Sequence, residues 1–313
     1  MKLTVACSPH IRGDFRSSRL MLDVMLALTP ALLVGVWMHG IRSALVVLTS
    51  IASCVVFEWL YSRITKKRNT IIDGSAMVTG MLLAMTLPAT VPYWLVLVGS
   101  GFAIILVKAL CGGLGQNIFN PALSARGFML MIAPAYMVAF QGLDGVTAAT
   151  PLHHMIMNEL PQETLLEMFL GRCPGSIGEV SALALILGGI YLVIRKVISP
   201  RIPLAYLGTV AVLTLIFHKG DNAFLWMGYQ LFSGGVVLGA IFMATDFATS
   251  PVTARGQLLY GLGCGILTVV LRNFSLFPEG VTYAILIMNA LVWIIDRITA
   301  PRRFGTKRGG AAK

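Results

Sequence analysis

Ten stretches of this chain are almost uninterruptedly apolar. They cover residues 20–38, 43–61, 72–87, 92–110, 122–140, 180–198, 203–217, 223–245, 257–271 and 280–298. A helix that crosses a bilayer needs about 20 such residues. The third and seventh stretches fall short of that, so tilted or broken helices are expected there. The pattern predicts an all-α membrane protein with about ten transmembrane helices.

Composition agrees with this class. Apolar residues make up 57% of the chain and charged residues only 12%, with a mean hydropathy of +0.81. A soluble domain carries roughly 25% charge. The net charge of +11 would suggest nucleic acid in a soluble protein, but here the basic residues gather in short connections and at the two ends, so nucleic-acid binding is not expected. With the N-terminus inside, twenty of the twenty-four Lys and Arg residues fall on the cytoplasmic side. Only Arg42, Arg172, Lys219 and Arg272 fall outside. This bias predicts a bacterial inner-membrane protein with both termini in the cytoplasm. The first twenty residues are polar and basic, without an apolar run ahead of a cleavage site, so insertion is expected to use the first span itself.

An internal repeat refines the architecture. Residues 78–92 (VTGMLLAMTLPATVP) align without gaps on 237–251 (VLGAIFMATDFATSP), with six of fifteen positions identical, among them Gly, Thr and Pro. One copy closes the third stretch and the other the eighth. Five spans separate equivalent points, so the halves have opposite orientations, an inverted repeat of five plus five helices. The expected division is a first repeat over 1–140, an outer loop over 141–179 and a second repeat over 180–313.

The outer loop is the longest connection and the most acidic, and loops of that length are usually functional. Its 161–167 stretch (PQETLLE) predicts a short surface helix. The loop opens with DGVTAATPL at 144–152: Asp144, Gly145, Thr147, Ala148, Ala149, Thr150 and Leu152, with two hydroxyls three apart and small residues between them. On chemistry alone this run suits either an Asp144 that binds a divalent cation or orients a phosphate-handling partner, with approachable hydroxyls beside it, or a turn with a helix cap. On the inner side, GGLGQNIFNPA at 112–122 offers the amides of Asn117 and Asn120 in a flexible setting, and TDFATSP at 245–251 lies on the same side. His153 and His154 follow the outer motif; two histidines do not make a metal centre. Five cysteines without paired spacing are expected to be small buried hydrophobes. Glu58 and Asp23 stand near span ends, where snorkelling or capping is the expectation.

DGVTAATPL resembles the flavinylation motif of the family that comprises the D subunit of Rnf complexes and the B subunit of sodium-pumping NADH:quinone reductase. The resemblance extends along the chain through SPHIR at 8–12, MLDV at 21–24, GGLGQNIFNPA at 112–122 and PEGVTYAIL at 278–286. It lies nearer the Rnf side, because the quinone-reductase subunit has a longer N-terminal extension. The resemblance implies FMN joined to Thr150 by a phosphoester, with Thr147 and Asp144 in the hydroxyl and acidic positions of the motif. Ala148 stands where the family often has Gly. It also implies a flavin transferase for maturation; the segment with Asn117 and Asn120, on its residues a tight or re-entrant turn between the fourth and fifth spans, would in the family be part of a second flavin site, such as riboflavin, or a contact with partner subunits. The expected function is a membrane subunit of an ion-translocating ferredoxin:NAD oxidoreductase that relays electrons coupled to sodium or proton transport. Its partners would be the C, G, E, A and B subunits of the complex, together with membrane lipid. A non-redox permease of urea-transporter-like architecture, and a structural scaffold, are the competing readings; neither has a need for the outer motif.

Overall fold

The structure is a computed structural model that describes residues 17–66, 71–140, 150–157, 160–161, 163–219, 222–274 and 280–301. Among these residues every regular element is helical. Two long helices open the fold, α1 (Ser17–His39) and α2 (Ile41–Ile64). α3 (Ser75–Met85) packs against α2, and α4 (Tyr93–Gly101) continues as a π-helix over Phe102–Ala109. α5 (Pro121–Ile132) and α6 (Pro134–Val138) follow. The expected fifth apolar helix is thus divided, because Ala133 precedes a proline and leaves the helical region at φ −139°.

Two short helices, α7 (Pro151–Ile156) and α8 (Leu165–Leu170), lie in the long connection. α8 is the surface helix expected from the 161–167 stretch. Thr164 caps it through a capping box with Glu167, whose carboxylate accepts the Thr164 backbone N–H at 2.8 Å. That hydrogen bond, first, and the Thr164 hydroxyl, second, hold the Glu167 carboxyl below the ordinary carboxylate range.

The remainder comprises α9 (Ala182–Ile194), α10 (Arg201–Ile216), α11 (Ala223–Phe232), α12 (Val236–Leu238, continuing as a π-helix over Gly239–Met243), α13 (Ala254–Phe274) and α14 (Gly280–Thr299). α10, α13 and α14 pack side by side, and α9 lies against α1. Small residues set these approaches. A Cβ on Gly188 would overlap the Ala27 carbonyl oxygen, so α9 meets α1 at backbone distance. A Cβ on Gly80 would stand 2.8 Å from Ile51 Cα, bringing α3 equally close to α2.

Among the described residues, four helices are long and apolar enough to cross a membrane: α1, α2, α13 and α14. The α11–α12 pair makes a fifth if its two arms, bent by 62°, are one span. Five further apolar helices are only 10–17 residues long. Large apolar side chains face outward on these helices, Trp37 at 74%, Ile41 at 77% and Leu204 at 70% exposure. Exposed apolar surface of this kind needs a lipid environment. The chain is a multi-pass membrane protein.

Several helix ends lie inside the bundle, and named donors satisfy them. The α3 terminus presents the carbonyls of Met85 and Leu87 to the backbone N–H groups of Gly178 (2.7 Å) and Ile177 (3.0 Å), in the segment entering α9. Gly178 has no room for a Cβ beside Met85. The Asn120 side chain donates to the Met243 carbonyl at 3.2 Å, at the end of the α12 π-helix. A further buried end is the break between α11 and α12, described next.

Candidate functional site

Thr150 is the N-cap of α7, and its Oγ accepts the His153 backbone N–H at 3.4 Å. It is half-buried and stands over a small cavity of about 30 Å³ that it shares with Phe140, Leu152, Cys173, Glu179, Ser233 and Gly234. Leu152 is buried there at 3% exposure. Asp144, Gly145, Thr147, Ala148 and Ala149 lie outside the described residues. His153 is exposed and His154 half-buried.

The floor of this cavity is the break between α11 and α12. Gly234 and Gly235 take φ of 61° and 67°, a left-handed pair that only glycine adopts without strain. The freed carbonyls are gathered by Arg272 of α13. Its Nη1 donates to the Gln230 carbonyl (2.7 Å) and side-chain oxygen (2.9 Å), and its Nη2 to the carbonyls of Ser233 (2.8 Å) and Gly234 (3.1 Å). The start of α12 meets the opposite charge: a Cβ on Gly235 would overlap Glu179 Oε1. A cation at one helix terminus and a carboxylate at the next match the two helix dipoles. Glu179 Oε1 also lies 3.7 Å from Arg126 Nη1, and Arg126 is 3% exposed.

A larger cavity, about 600 Å³, opens at the other end of the bundle. Asn117 and Asn120 line it together with Thr79, Lys108, Thr245, Asp246, Ser250 and Asp296, between apolar walls that include Val24, Leu82 and Phe242. The structure therefore brings the 112–122 and 245–251 segments to one place. Asn120 is largely engaged within the fold. Its Oδ1 caps α5 through Ala122 N (3.0 Å) and Leu123 N (3.3 Å), and its Nδ2 holds Met243. Asn117 donates to the Phe119 carbonyl at 3.1 Å.

Sequence reasoning missed a buried ion pair on the wall of this cavity. Lys108 Nζ donates to Glu58 Oε1 at 2.9 Å and to Ser75 Oγ at 2.7 Å, and the two charged residues are 4% and 5% exposed. Glu58 is therefore not a snorkelling residue at a span end. The signal that could have found the pair is a Lys and a Glu each flanked by apolar residues, on the second and fourth predicted spans. Lys108 sits on the π-helix, and π-helical segments are frequent at functional sites. Asp23, also read as an end residue, is buried and accepts from Tyr191 Oη at 2.9 Å.

Cys54, Cys173 and Cys264 are buried, as expected, but Cys111 is exposed. The Cys173 thiol, pushed up to about 12 by burial, donates weakly to the Val180 carbonyl at 3.8 Å. The thiolate is the reactive form. Maleimide labelling of the folded protein at neutral pH should therefore modify Cys111 well before Cys173, read by peptide mass spectrometry; equal rates would show that the Cys173 segment opens.

Known proteins resemble this chain from end to end. It is 43% identical over 314 residues to the D subunit of the Na(+)-translocating ferredoxin:NAD(+) oxidoreductase complex of Acetobacterium woodii, covering 98% of this chain and 97% of the relative. It is 43% identical over 324 residues to the D subunit of the proton-translocating ferredoxin:NAD(+) oxidoreductase complex of Clostridium ljungdahlii, covering 97% of each. It is 38% identical to the D subunit of the ion-translocating oxidoreductase complex of Stutzerimonas stutzeri, covering 93% of each. Residues 4–305 match one family along almost the whole chain, and the protein belongs to the NQR2, RnfD, RnfE family.

Proposed function

We propose that this chain is the D subunit of an ion-translocating ferredoxin:NAD oxidoreductase complex and that it carries FMN on Thr150 through a phosphoester. The observation that carries this reading is the end-to-end match to relatives that bear that name. The local chemistry at Thr150 supports the attachment. Its Oγ serves as an acceptor in the helix cap, so replacing the hydroxyl hydrogen with a phosphoryl group leaves the cap intact. A threonine hydroxyl is a poor nucleophile unaided, so a dedicated flavin transferase supplies the activation. The cavity beside Thr150 is water-sized and would not hold the isoalloxazine ring; Thr150 would anchor the group through its phosphate, with the Glu179 carboxylate in the lining beneath. Bound there, the flavin supplies electron transfer, and the chain supplies its anchor and the electrostatics around it.

The large cavity is the place for a second flavin of the riboflavin kind. Its volume of about 600 Å³ falls within the range of small-molecule sites, roughly 300–1,000 Å³, and its lining sets apolar walls beside hydroxyls, amides and the charged Lys108, Asp246 and Asp296. In the membrane, the ten apolar stretches would form ten spans in two inverted repeats resembling the urea-transporter architecture. The five short helices and the bent pair would take the places of broken or tilted spans. The aligned Gly80 and Gly239 support the repeat: each stands where an added Cβ would meet a neighbouring helix. Both termini and the large cavity would face the cytoplasm, with Thr150 on the outer side. Electrons would pass between this chain and the other subunits of the complex while sodium or protons cross the membrane.

Thr150→Val tests the reading. Co-expressed with the flavin transferase, the parent chain should fluoresce under ultraviolet light after denaturing electrophoresis, and the variant should be dark at equal protein. A dark parent, with the transferase active on another target, would return the large cavity to a permease substrate.

A further inference from the structure

The end of α9 places a lysine where most helices place glycine. Lys196 takes φ of 57°, in the left-handed region. It closes a Schellman turn: its N–H donates to the Val193 carbonyl at 3.0 Å, and the Val197 N–H donates to the Leu192 carbonyl at 2.9 Å. Val197 is buried and Lys196 is exposed. The turn thus holds an ammonium at the surface at a backbone cost that glycine would avoid.

Three further cations are exposed around it. Arg195 precedes it, Arg201 opens α10, and Arg19 stands in the first turn of α1, which packs against α9. Asp23, one turn after Arg19, ties the two helices together. Its carboxylate accepts from Tyr191 Oη at 2.9 Å and from Arg195 Nη2 at 3.4 Å. Among the described residues, Asp23 is the carboxylate paired with this group. That ion pair engages only Nη2 of Arg195, which leaves one edge of a planar fork for other acceptors. Asp23 and the C-terminal dipole of α9, worth about half a negative charge, face four cations. Neither α1 nor α10 has an acid in its first turn, so the dipoles at their starts add to the positive field.

The surroundings decide which anion this field suits. Exposed apolar side chains run along the same helices from the cations: Leu22 and Leu26 after Arg19, Leu204 after Arg201, and Ile190 and Ile194 before Arg195. Ile194 is 72% exposed and Leu26 60%. Spacings of three and four keep each stripe on one side of its helix. Surface of this kind is covered by acyl chains, and a cationic cluster at its end meets the phosphate of a headgroup.

We propose that Arg19, Arg195, Lys196 and Arg201 seat the headgroup of an anionic phospholipid, in the leaflet where α1 begins. Its acyl chains lie along the apolar stripes of α1, α9 and α10. The left-handed turn fixes the Lys196 backbone beside Arg195, and Asp23 holds the Arg195 guanidinium in place. The lipid clasps the first helix of the chain to two helices of its second half. Nothing in this seat depends on a flavin.

Native mass spectrometry of the purified full-length chain, titrated with phosphatidylglycerol at low ionic strength, tests the proposal. Each cation near an anionic headgroup contributes about 5-fold in affinity, so the combined Arg195→Gln, Lys196→Gln and Arg201→Gln variant should bind roughly 100-fold more weakly than the parent. Lys196→Gly separates binding from folding. Glycine suits φ of 57°, so its thermal midpoint should hold or rise while affinity falls about 5-fold. Arg63→Gln with Lys66→Gln, which removes two exposed cations at the end of α2, should bind as the parent does. Parental affinity in the triple variant and in Lys196→Gly overturns the proposal. If the triple variant does not accumulate, Lys196→Gly decides alone. An equal loss in the α2 variant overturns it too, because any surface cation would then serve. So does equal binding of phosphatidylcholine, or displacement of phosphatidylglycerol by millimolar inorganic phosphate, which would make the group a phosphate site instead of a lipid seat.

Discussion

Lys108→Met is expected to lower the thermal midpoint of the purified chain sharply, at a cost of about 3–5 kcal/mol. The substitution keeps the length and apolar stem of the side chain and removes its charge. What remains is a Glu58 carboxylate in the interior, deprived of the ammonium at 2.9 Å, and a Ser75 hydroxyl deprived of a donor at 2.7 Å. The cost comes from the stranded charge more than from any large intrinsic gain in the pair, because desolvating two ions offsets much of their attraction. A second substitution should therefore repair the first. Glu58→Gln added to Lys108→Met removes the stranded charge and is expected to recover a large part of the loss. Tryptophan fluorescence during heating in detergent measures all three variants. Additive losses in the double variant would show that the two residues do not form a unit.

Arg272→Met is the second large effect. One guanidinium donates to three backbone carbonyls at the α11–α12 break. Leaving a buried acceptor unsatisfied costs about 1–3 kcal/mol, and lipid offers no water to replace the donor. The bend of 62° should relax and the floor beneath Thr150 should shift with it. The expected readout is a fall in flavin fluorescence per chain together with faster proteolysis. Arg272→Lys should be intermediate, since one ammonium cannot reproduce the planar fork that spans these acceptors. Arg42→Met serves as the comparison: Arg42 is exposed and bonds the Thr90 carbonyl at 2.9 Å, so its loss should change little. Equal behaviour of the Arg42 and Arg272 variants would sink the argument.

Hydropathy made the helices legible, because apolar stretches of this length have few alternatives. Thr150 stood out as a candidate through a local motif whose residues are contiguous. The charges were not legible in the same way. Lys108, Arg126 and Arg272 count as loop residues in a positive-inside tally, and all three are buried in helical segments. Their partners lie far away in sequence, Glu58 fifty residues from Lys108 and Gln230 forty-two from Arg272. Glu179 misled in the opposite direction. It belongs to a long connection rich in acid, while its neighbours in space are Arg126, Gly234 and Gly235. The insertion of 174–181 into the bundle depends on backbone hydrogen bonds to the end of α3, which no periodicity announces. The split of the fifth stretch at Pro134 was readable from the proline, but the apolar run continues across it and hides the break.

The Arg272 fork also bears on how the chain is made. The donor that satisfies the broken backbone is synthesised thirty-eight to forty-two residues after the acceptors it serves. Segment 223–243 must therefore leave the insertion machinery before its bend can be stabilised. Until α13 arrives, the carbonyls of the break are best satisfied in an uninterrupted helix or held at the aqueous margin. The cavity floor under Thr150 is thus a late product of biogenesis, and a flavin transferase would meet its finished target only after the C-terminal helices have docked.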